Sequence, residues 1–263
     1  MLLTLAFYAR RSNAARVLQL AFIAATFFIE GCSGSSSGGT SLPSSETGIA
    51  EVRFLDGAPV LEALVNGVPS DIGAAYLQSD GQTVMSSFAY GTLSTFTALT
   101  PGVHSLKALD ALGYAVGPLK TASLAAGKRY TLILVGAYPN YQVLNFEEPP
   151  GNNGAQVSLY EASPAVPNAE YGHFRASSHT NFQRLGAAIL GNVATASLGK
   201  SVSDLGGYVA AGSRQLGTVT PAQVDGFDSR NVLPFHRASR LSLFLCDPKP
   251  GSGVGPVFGS IDR

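Results

Sequence analysis

Short apolar segments with a two-residue period follow one another along the chain from about residue 50. In the segment LSLFL, Leu241, Leu243 and Leu245 share one face of a strand, since successive side chains of a strand point to opposite faces. Residues 129–135 (RYTLILV) form a near-continuous apolar run instead, which is typical of a strand buried on both faces or in a sandwich core. Glycine and proline separate the segments at turn-like intervals. The pattern predicts an all-β fold.

The same strand pattern occurs twice in the chain. Residues 52–69 (VRFLDGAPVLEALVNGVP) align with residues 157–174 at a spacing of 105, and both copies run from an alternating strand into an X-Pro turn. Residues 128–135 (KRYTLILV) align with residues 239–246 (SRLSLFLC) at a spacing of 111. Repeats of this kind indicate duplication of one structural unit. We therefore predict two tandem Ig-like/transthyretin-like β-sandwich domains.

A middle block, which lies between these two in both copies, also supports the repeat. Residues 90–106 align with residues 198–216, which pairs Gly91 with Gly199 and Gly102 with Gly212. Between the copies, Pro149, Pro150 and Gly151 cannot continue a strand ladder. The first domain is accordingly predicted at residues 49–148 and the second, diverged domain at residues 155–263.

Composition agrees with a turn-rich β protein. The 263 residues include 30 glycines and 15 prolines, and only 13% are charged. Glycine and proline punctuate short strands and interrupt helices. The formal net charge is zero. No basic stripe is present to neutralise a phosphate backbone, so nucleic acid is not an expected partner.

The N-terminus has a different pattern. Residues 17–29 (VLQLAFIAATFFI) carry no charge, and Arg10, Arg11 and Arg16 precede them. Thirteen residues are too few to span the roughly 30 Å hydrocarbon core of a bilayer but suit the apolar core of a signal peptide. We predict a signal peptide at residues 1–31.

This N-terminus resembles that of a bacterial lipoprotein precursor. Ile29 and Gly31 match the positions that the signal peptidase of that family recognises, and Cys32 matches the cysteine that is acylated; Glu30 departs from the small residue usual there. The resemblance implies a mature chain that begins at a lipidated Cys32, with palmitate among its acyl groups. It also implies, from Ser33, passage to the outer membrane of a Gram-negative cell. The expected partner is the membrane.

A Ser/Gly-rich tether is predicted at residues 32–48. Such a segment behaves as a flexible coil with a typical reach of roughly 20 Å. Two or more acyl chains at Cys32 would anchor it firmly, because each buried CH₂ contributes about 0.8 kcal/mol. The other cysteine, Cys246, ends an apolar run and is expected to be a buried, inert thiol. The alternative is a secreted, non-lipidated protein with a Cys32–Cys246 disulfide.

The body resembles a family of exported bacterial proteins, the domain of unknown function 4397. The segments that carry the resemblance are VRFLDGAP from residue 52, SFAYGTLSTFTALTPGVHSL from residue 87 and SLAAGKRYTLILVG from residue 123. It covers about residues 50–148, and residues 155–263 look like a diverged copy. The resemblance implies an all-β extracytoplasmic domain and no reaction.

Residues that could carry chemistry are few. The four histidines lack the spacing of a metal site and are expected in solvent-exposed loops. Neither a catalytic residue nor a cofactor is predicted, and the chain is not expected to be an enzyme. Four aromatic residues fall near the interdomain junction: Tyr138, Tyr141, Phe146 and Tyr160. They could line a cleft that binds a glycan or peptide, or they could fill the interface between the two copies.

These patterns lead to two functional expectations. The first is a lipid-anchored cell-envelope protein with a non-enzymatic structural or binding role. The second is a module at the cell surface that binds a glycan or a peptide. An envelope protein or a glycan is the partner expected besides the membrane.

Overall fold

The innermost strands of the body are buried on both faces, whereas strands nearer the surface alternate between more and less buried positions. This computed structural model describes residues 48–73, 75–151, 154–198, 204–220, 239–253 and 255–262. The predicted signal peptide, its recognition residues Ile29 and Gly31, and Cys32 lie outside the described residues. The described part of the chain is all-β and lies within one compact unit, residues 45–263.

Eighteen strands are formed by the described residues. They are β1 (Ala50–Asp56), β2 (Glu62–Val65), β3 (Val68–Asp71), β4 (Ala75–Ser79), β5 (Gln82–Phe88), β6 (Thr97–Leu99), β7 (Ser105–Leu109), β8 (Ala115–Lys120), β9 (Arg129–Val135), β10 (Gln142–Glu147), β11 (Gln156–Glu161), β12 (Asn168–Arg175), β13 (Thr180–Ile189), β14 (Val193–Ser197), β15 (Leu205–Ala211), β16 (Arg214–Val219), β17 (Arg240–Leu245) and β18 (Val257–Asp262).

Each half of the body contains two four-stranded sheets. In the first half the outer sheet has the order β5-β4-β7-β8 and the inner sheet the order β10-β9-β1-β6. In the second half the outer sheet has the order β13-β12-β15-β16 and the inner sheet the order β14-β11-β17-β18. A hairpin of β2 and β3 completes the first half. This is the predicted β-sandwich architecture.

Both inner sheets are covered on both faces. In β9, Leu132 and Leu134 point into the core of the first sandwich, whereas Ile133 and Val135 point into an apolar layer between the two inner sheets. β17 repeats the arrangement, with Leu243 in the core of the second sandwich. The body is therefore a stack of four sheets. The near-continuous apolar runs are explained by this double burial.

The two halves share one topology. The central parallel pairs have the same register, with Val52 opposite Tyr130 and Val157 opposite Leu241. These positions are related by the spacings of 105 and 111 that the sequence alignment gave. The inner sheets also have the same strand order when β10-β9-β1-β6 is compared with β18-β17-β11-β14.

The alignment of the middle block is wrong. The N–H of Gly91 donates to the carbonyl of Asp56 (2.7 Å), and the equivalent bond runs from Gly191 to Glu161 (2.9 Å). Gly91 therefore corresponds to Gly191. Gly102 precedes β7, whereas Gly212 lies between β15 and β16, so these two glycines are not equivalent either. The strands of this region are short, and a short apolar-polar pattern does not fix the register of an alignment.

Gly91 also allows the two halves to approach closely. Its φ is +80°, which favours glycine, and a Cβ there would lie 2.2 Å from the ring of Phe258 in β18. The same φ occurs at Gly191 (+81°), but no atom lies within 4 Å of a Cβ built there. The conformation thus belongs to both halves, while the close contact belongs to the interface between them.

Candidate functional site

The interface between the inner sheets is the most heavily buried region shared by the two halves. Leu55, Ile133 and Phe146 of the first half meet Tyr160 and Phe244 of the second. Their side chains are at most 2% exposed. Complete burial of a large apolar side chain contributes about 1.5–3 kcal/mol. The interface is therefore a third hydrophobic core rather than a loose contact.

Glu148, in the segment that connects the halves, binds groups from both of them. Its carboxylate accepts hydrogen bonds from Arg53 (3.0 Å) and Thr131 of the first half. It also accepts bonds from the Tyr160 hydroxyl (2.5 Å) and the Arg240 guanidinium (2.9 Å) of the second half. The Glu148 side chain is only 4% exposed. We call Arg53, Glu148, Arg240 and Asp262 the ionic cluster.

Arg53 connects this cluster to the last strand. Its guanidinium donates to both carboxylate oxygens of Asp262 in β18, at 2.6 and 3.2 Å. Burial alone would lower the pKa of Arg53, but Asp262 and Glu148 outweigh it and raise this pKa. Burial would likewise raise the pKa of Asp262, but Arg53 holds it below its usual value. The charged forms are thus the stable forms of this pair.

Two buried carboxyl groups occupy equivalent positions near the interface. Asp56 ends β1 and Glu161 ends β11; each accepts a hydrogen bond from the backbone N–H two residues further on, Ala58 or Ser163. The second oxygen of each group has no hydrogen-bond partner among the described residues. Burial raises the pKa of Asp56 to about 7 and that of Glu161 to about 8. At neutral pH Glu161 therefore favours the protonated form, and Asp56 is about half protonated.

A cleft of about 460 Å³ opens beside the ionic cluster, between the two halves. One wall is the segment from Gly91 to Phe96, and the other is the whole of β18 together with Thr218 and Val219 of β16. Arg53 and Asp262 are its charged lining residues, and they are paired with each other. The remaining lining is hydroxyl-bearing or apolar. The cleft is the candidate binding site of the body.

β18 presents a free edge to this cleft. Within the described ranges, β18 is hydrogen-bonded in the sheet to β17 alone. The Cys246 N–H donates to the carbonyl of Pro256, which lies opposite it just before β18. Hydrogen-bonded and non-hydrogen-bonded residue pairs alternate along an antiparallel ladder. Phe258, Ser260 and Asp262 therefore exchange hydrogen bonds with β17. The N–H and C=O groups of the intervening residues, Val257, Gly259 and Ile261, point away from β17.

The four aromatic residues predicted near the junction do not form one site. Phe146 and Tyr160 contact each other with ring centroids 5.7 Å apart, and both are buried in the interface. Tyr141 packs on the core of the first sandwich, and its hydroxyl accepts a bond from the Glu62 N–H (2.7 Å). Tyr138 is half-buried in the turn after β9. Phe146 and Tyr160 thus fill the interface between the two halves.

The thiol of Cys246 is fully buried and free. Burial raises its pKa, as do the nearby Asp56, Glu161 and Asp247. A thiol with a raised pKa is a poor nucleophile, which agrees with the inert role predicted for it. Its proposed alternative partner, Cys32, lies outside the described residues.

The expectation of solvent-exposed histidines is wrong for His104. This side chain is 4% exposed, and its ring nitrogens lie 2.6 Å from Asp80 Oδ2 and 2.7 Å from the Thr100 carbonyl oxygen. His104 lies directly before β7, and the residues around it show no periodic apolar pattern that would indicate burial. Within the described ranges no group of three or more His, Cys, Asp or Glu side chains could hold a metal ion.

Sequence reasoning also missed the ionic cluster. Arg53 sits in VRFLD at an inward position of an alternating strand, which is the one signal that could have identified it. Glu148 was assigned to a domain boundary, and nothing in its sequence context indicates that both halves bind it.

In the part of the chain that the structure describes, no helix is long and apolar enough to cross a membrane.

A protein-family comparison identifies the first part of this body. The family model of DUF4397, a domain of unknown function, matches residues 50–170. The DUF4397 match includes all of the first half, β11 and the start of β12. It therefore contains Arg53, Glu148 and Tyr160, but not Arg240 or Asp262.

Comparisons with individual proteins give little further information. No curated protein matches the chain. One similar solved structure is a candidate cell adhesion protein from Bacteroides uniformis, with 8% identity, a TM-score of 0.25, and coverage of 82% of this chain and 98% of that one. Another is the fimbrial anchor protein Mfa2 from Porphyromonas gingivalis, with 9% identity, a TM-score of 0.26, and coverage of 81% and 97%.

Proposed function

We propose that the chain is a lipid-anchored, non-enzymatic protein of the cell envelope with a structural or binding role. The observation that carries this proposal is the fusion of two sandwiches into one body by a buried ionic cluster and a third apolar core. Because a large apolar interface restrains the relative motion of two domains, such a body suits a rigid spacer. Placed behind a tether of about 15 residues, it would stand clear of the lipid headgroups.

The membrane anchor in this proposal is Cys32. The arginines, the uncharged segment 17–29, and Ile29 and Gly31 together support cleavage before Cys32 and acylation of its thiol. Ser33 supports sorting to the outer membrane of a Gram-negative cell. On this proposal the second half is a diverged copy of the DUF4397 domain, as the common strand order of the two halves suggests.

Metabolic labelling with a palmitate analogue tests the anchor. We expect the full chain to be labelled and Cys32→Ala to lose the label entirely, because the substitution removes the thiol that is acylated. Cys246→Ala is the matched control, since the chain has two cysteines and this one is buried. Unchanged labelling in Cys32→Ala would contradict lipidation at this site.

A second candidate function is binding of a ligand at the cell surface. The cleft of about 460 Å³ between the halves favours it, because binding sites form preferentially at such junctions. Its lining differs from the four aromatic residues predicted from the sequence. Binding of a glycan or a peptide would therefore depend on β18 and the segment 91–96 rather than on Tyr138 or Tyr141.

A further inference from the structure

We propose that the cleft binds an extended, uncharged peptide segment of a partner protein, which adds as a strand to the free edge of β18. This inference rests on the binding role proposed above and names the ligand class for it. The first observation behind it is the alternation along β18. Val257, Gly259 and Ile261 direct three N–H and three C=O groups away from β17, and no hydrogen bond to them occurs within the described ranges.

Another extended backbone is the ligand that matches this row of groups. Strand addition to a free edge gives affinity through main-chain hydrogen bonds and specificity through side-chain pockets. The free edge has six residues, about 20 Å at roughly 3.3 Å per residue, which accommodates a peptide of similar length. A glycan lacks the regular alternation of donors and acceptors that this edge offers.

The shape of the cleft selects a single strand over a folded sheet. The edge is recessed between the segment 91–96 on one side and Thr218 and Val219 on the other. Gly259 packs against Val219 so closely that a Cβ there would lie 2.4 Å from its Cγ1. A second copy of this body would have to bring a four-stranded sheet into the same space. A lone extended segment enters without such a clash.

The charges of the cleft indicate an uncharged ligand. Arg53 and Asp262 neutralise each other, and Arg53 also contacts Glu148. A charged ligand side chain would compete with these buried pairs and lose hydration without gaining a free counter-ion. Thr95 and Thr218 offer hydroxyl groups, and Phe96 offers apolar surface. The hydroxyls of Ser94 and Ser260 are already hydrogen-bonded within the protein, and the Ile261 side chain packs on the core of the second sandwich. Alternating threonine and valine side chains fit this lining.

The experiment uses the purified full chain and a fluorescent probe peptide of sequence Lys-Thr-Val-Thr-Val-Thr-Val-Lys. Fluorescence anisotropy measures binding, and amide hydrogen exchange followed by NMR locates it. In the free protein we expect the amides of Val257, Gly259 and Ile261 to exchange fast and those of Phe258, Ser260 and Asp262 to exchange slowly. The peptide is expected to slow the first set and leave the second unchanged.

Variants at one position separate the backbone contribution from the side chain. Ile261→Pro removes an outward N–H that β17 does not use, and an edge strand tolerates proline there. We expect it to weaken peptide binding about tenfold or more, because one 1.4 kcal/mol loss corresponds to a factor of ten. Ile261→Ala keeps the N–H and is the matched control, with binding within about threefold of the unmodified protein.

Each other outcome would overturn the proposal. The edge is not a peptide site if the probe peptide does not bind, or if both Ile261 variants weaken binding equally. The same conclusion follows if the three outward amides exchange slowly in the free protein. Self-association with protection of the same amides would assign the edge to a second copy, and displacement of the peptide by a glycan would change the ligand class. None of these results bears on labelling of Cys32, so failure here is distinct from failure of the anchor.

Discussion

Arg53→Ala is expected to lower the free energy of unfolding by about 3–5 kcal/mol, the cost of removing one partner from a buried ion pair. The substitution leaves the carboxylates of Glu148 and Asp262 without their shared counter-ion inside the interface. It also removes a guanidinium that lies 4.8 Å from the Phe96 ring centroid and 5.3 Å from that of Phe244. Urea unfolding followed by circular dichroism measures the change.

Arg129→Ala provides a matched control for this prediction. Arg129 also lies over the Phe96 ring, with its guanidinium 3.9 Å from the centroid, and it also forms an ion pair, with Glu51. The side chains of Arg129 and Glu51 are both nearly half exposed, so water screens their interaction. We expect Arg129→Ala to cost less than about 1 kcal/mol. Equal losses in the two variants would contradict the importance of the buried cluster.

The second large effect is a fall in stability as the pH rises from about 5 to about 8. Asp56 and Glu161 have raised pKa values, about 7 and about 8, chiefly because of burial. Between the unfolded and folded pKa values, the unfolded chain has released these protons and the folded chain has kept them. The stability that the protonated groups contribute is therefore complete in acid and is lost as the pH rises through the folded values. Each group contributes a slope of about 1.4 kcal/mol per pH unit within its window.

Asp56→Asn and Glu161→Gln test the origin of this slope. Each amide keeps the shape of the carboxyl group and cannot ionise, so the double variant should show little change in stability between pH 5 and pH 8. Urea titrations at a series of pH values give the comparison. The contribution of Asp262 to stability changes with pH in the opposite direction. Because its pKa is lowered, this contribution is lost in acid. A wild-type profile that is flat from pH 5 to pH 8 would refute the assignment.

The sequence predicted the central strands well because their signals are strong. Residues 129–135 are apolar on both faces, and the structure buries both faces of β9. The alignments of the first and third blocks match the registers of β1 with β9 and β11 with β17. These strands carry long apolar patterns, and a one-residue shift would move every side chain to the opposite face of its sheet.

The rest of the fold and the site depend on contacts between distant residues. β6 has three residues, too few to define a pattern, and the middle block was consequently misaligned. Glu148 follows a strand directly and precedes two prolines, which indicates a linker; its burial depends on Arg53 and Arg240, 95 and 92 residues away in the sequence. A cleft was one of two expectations for four aromatic residues: Tyr138, Tyr141, Phe146 and Tyr160. The cleft described above lies along β18 instead, because its position depends on which edges of the inner sheets meet.

The central claim is that the two halves form one body, and calorimetric unfolding of the unmodified full chain tests it most directly. A single transition is predicted, with a calorimetric enthalpy equal to the van't Hoff enthalpy, because the third core and the ionic cluster can form only when both halves are folded. Two separate transitions, or a van't Hoff enthalpy near half of the calorimetric value, would show that the halves unfold independently and would contradict the account.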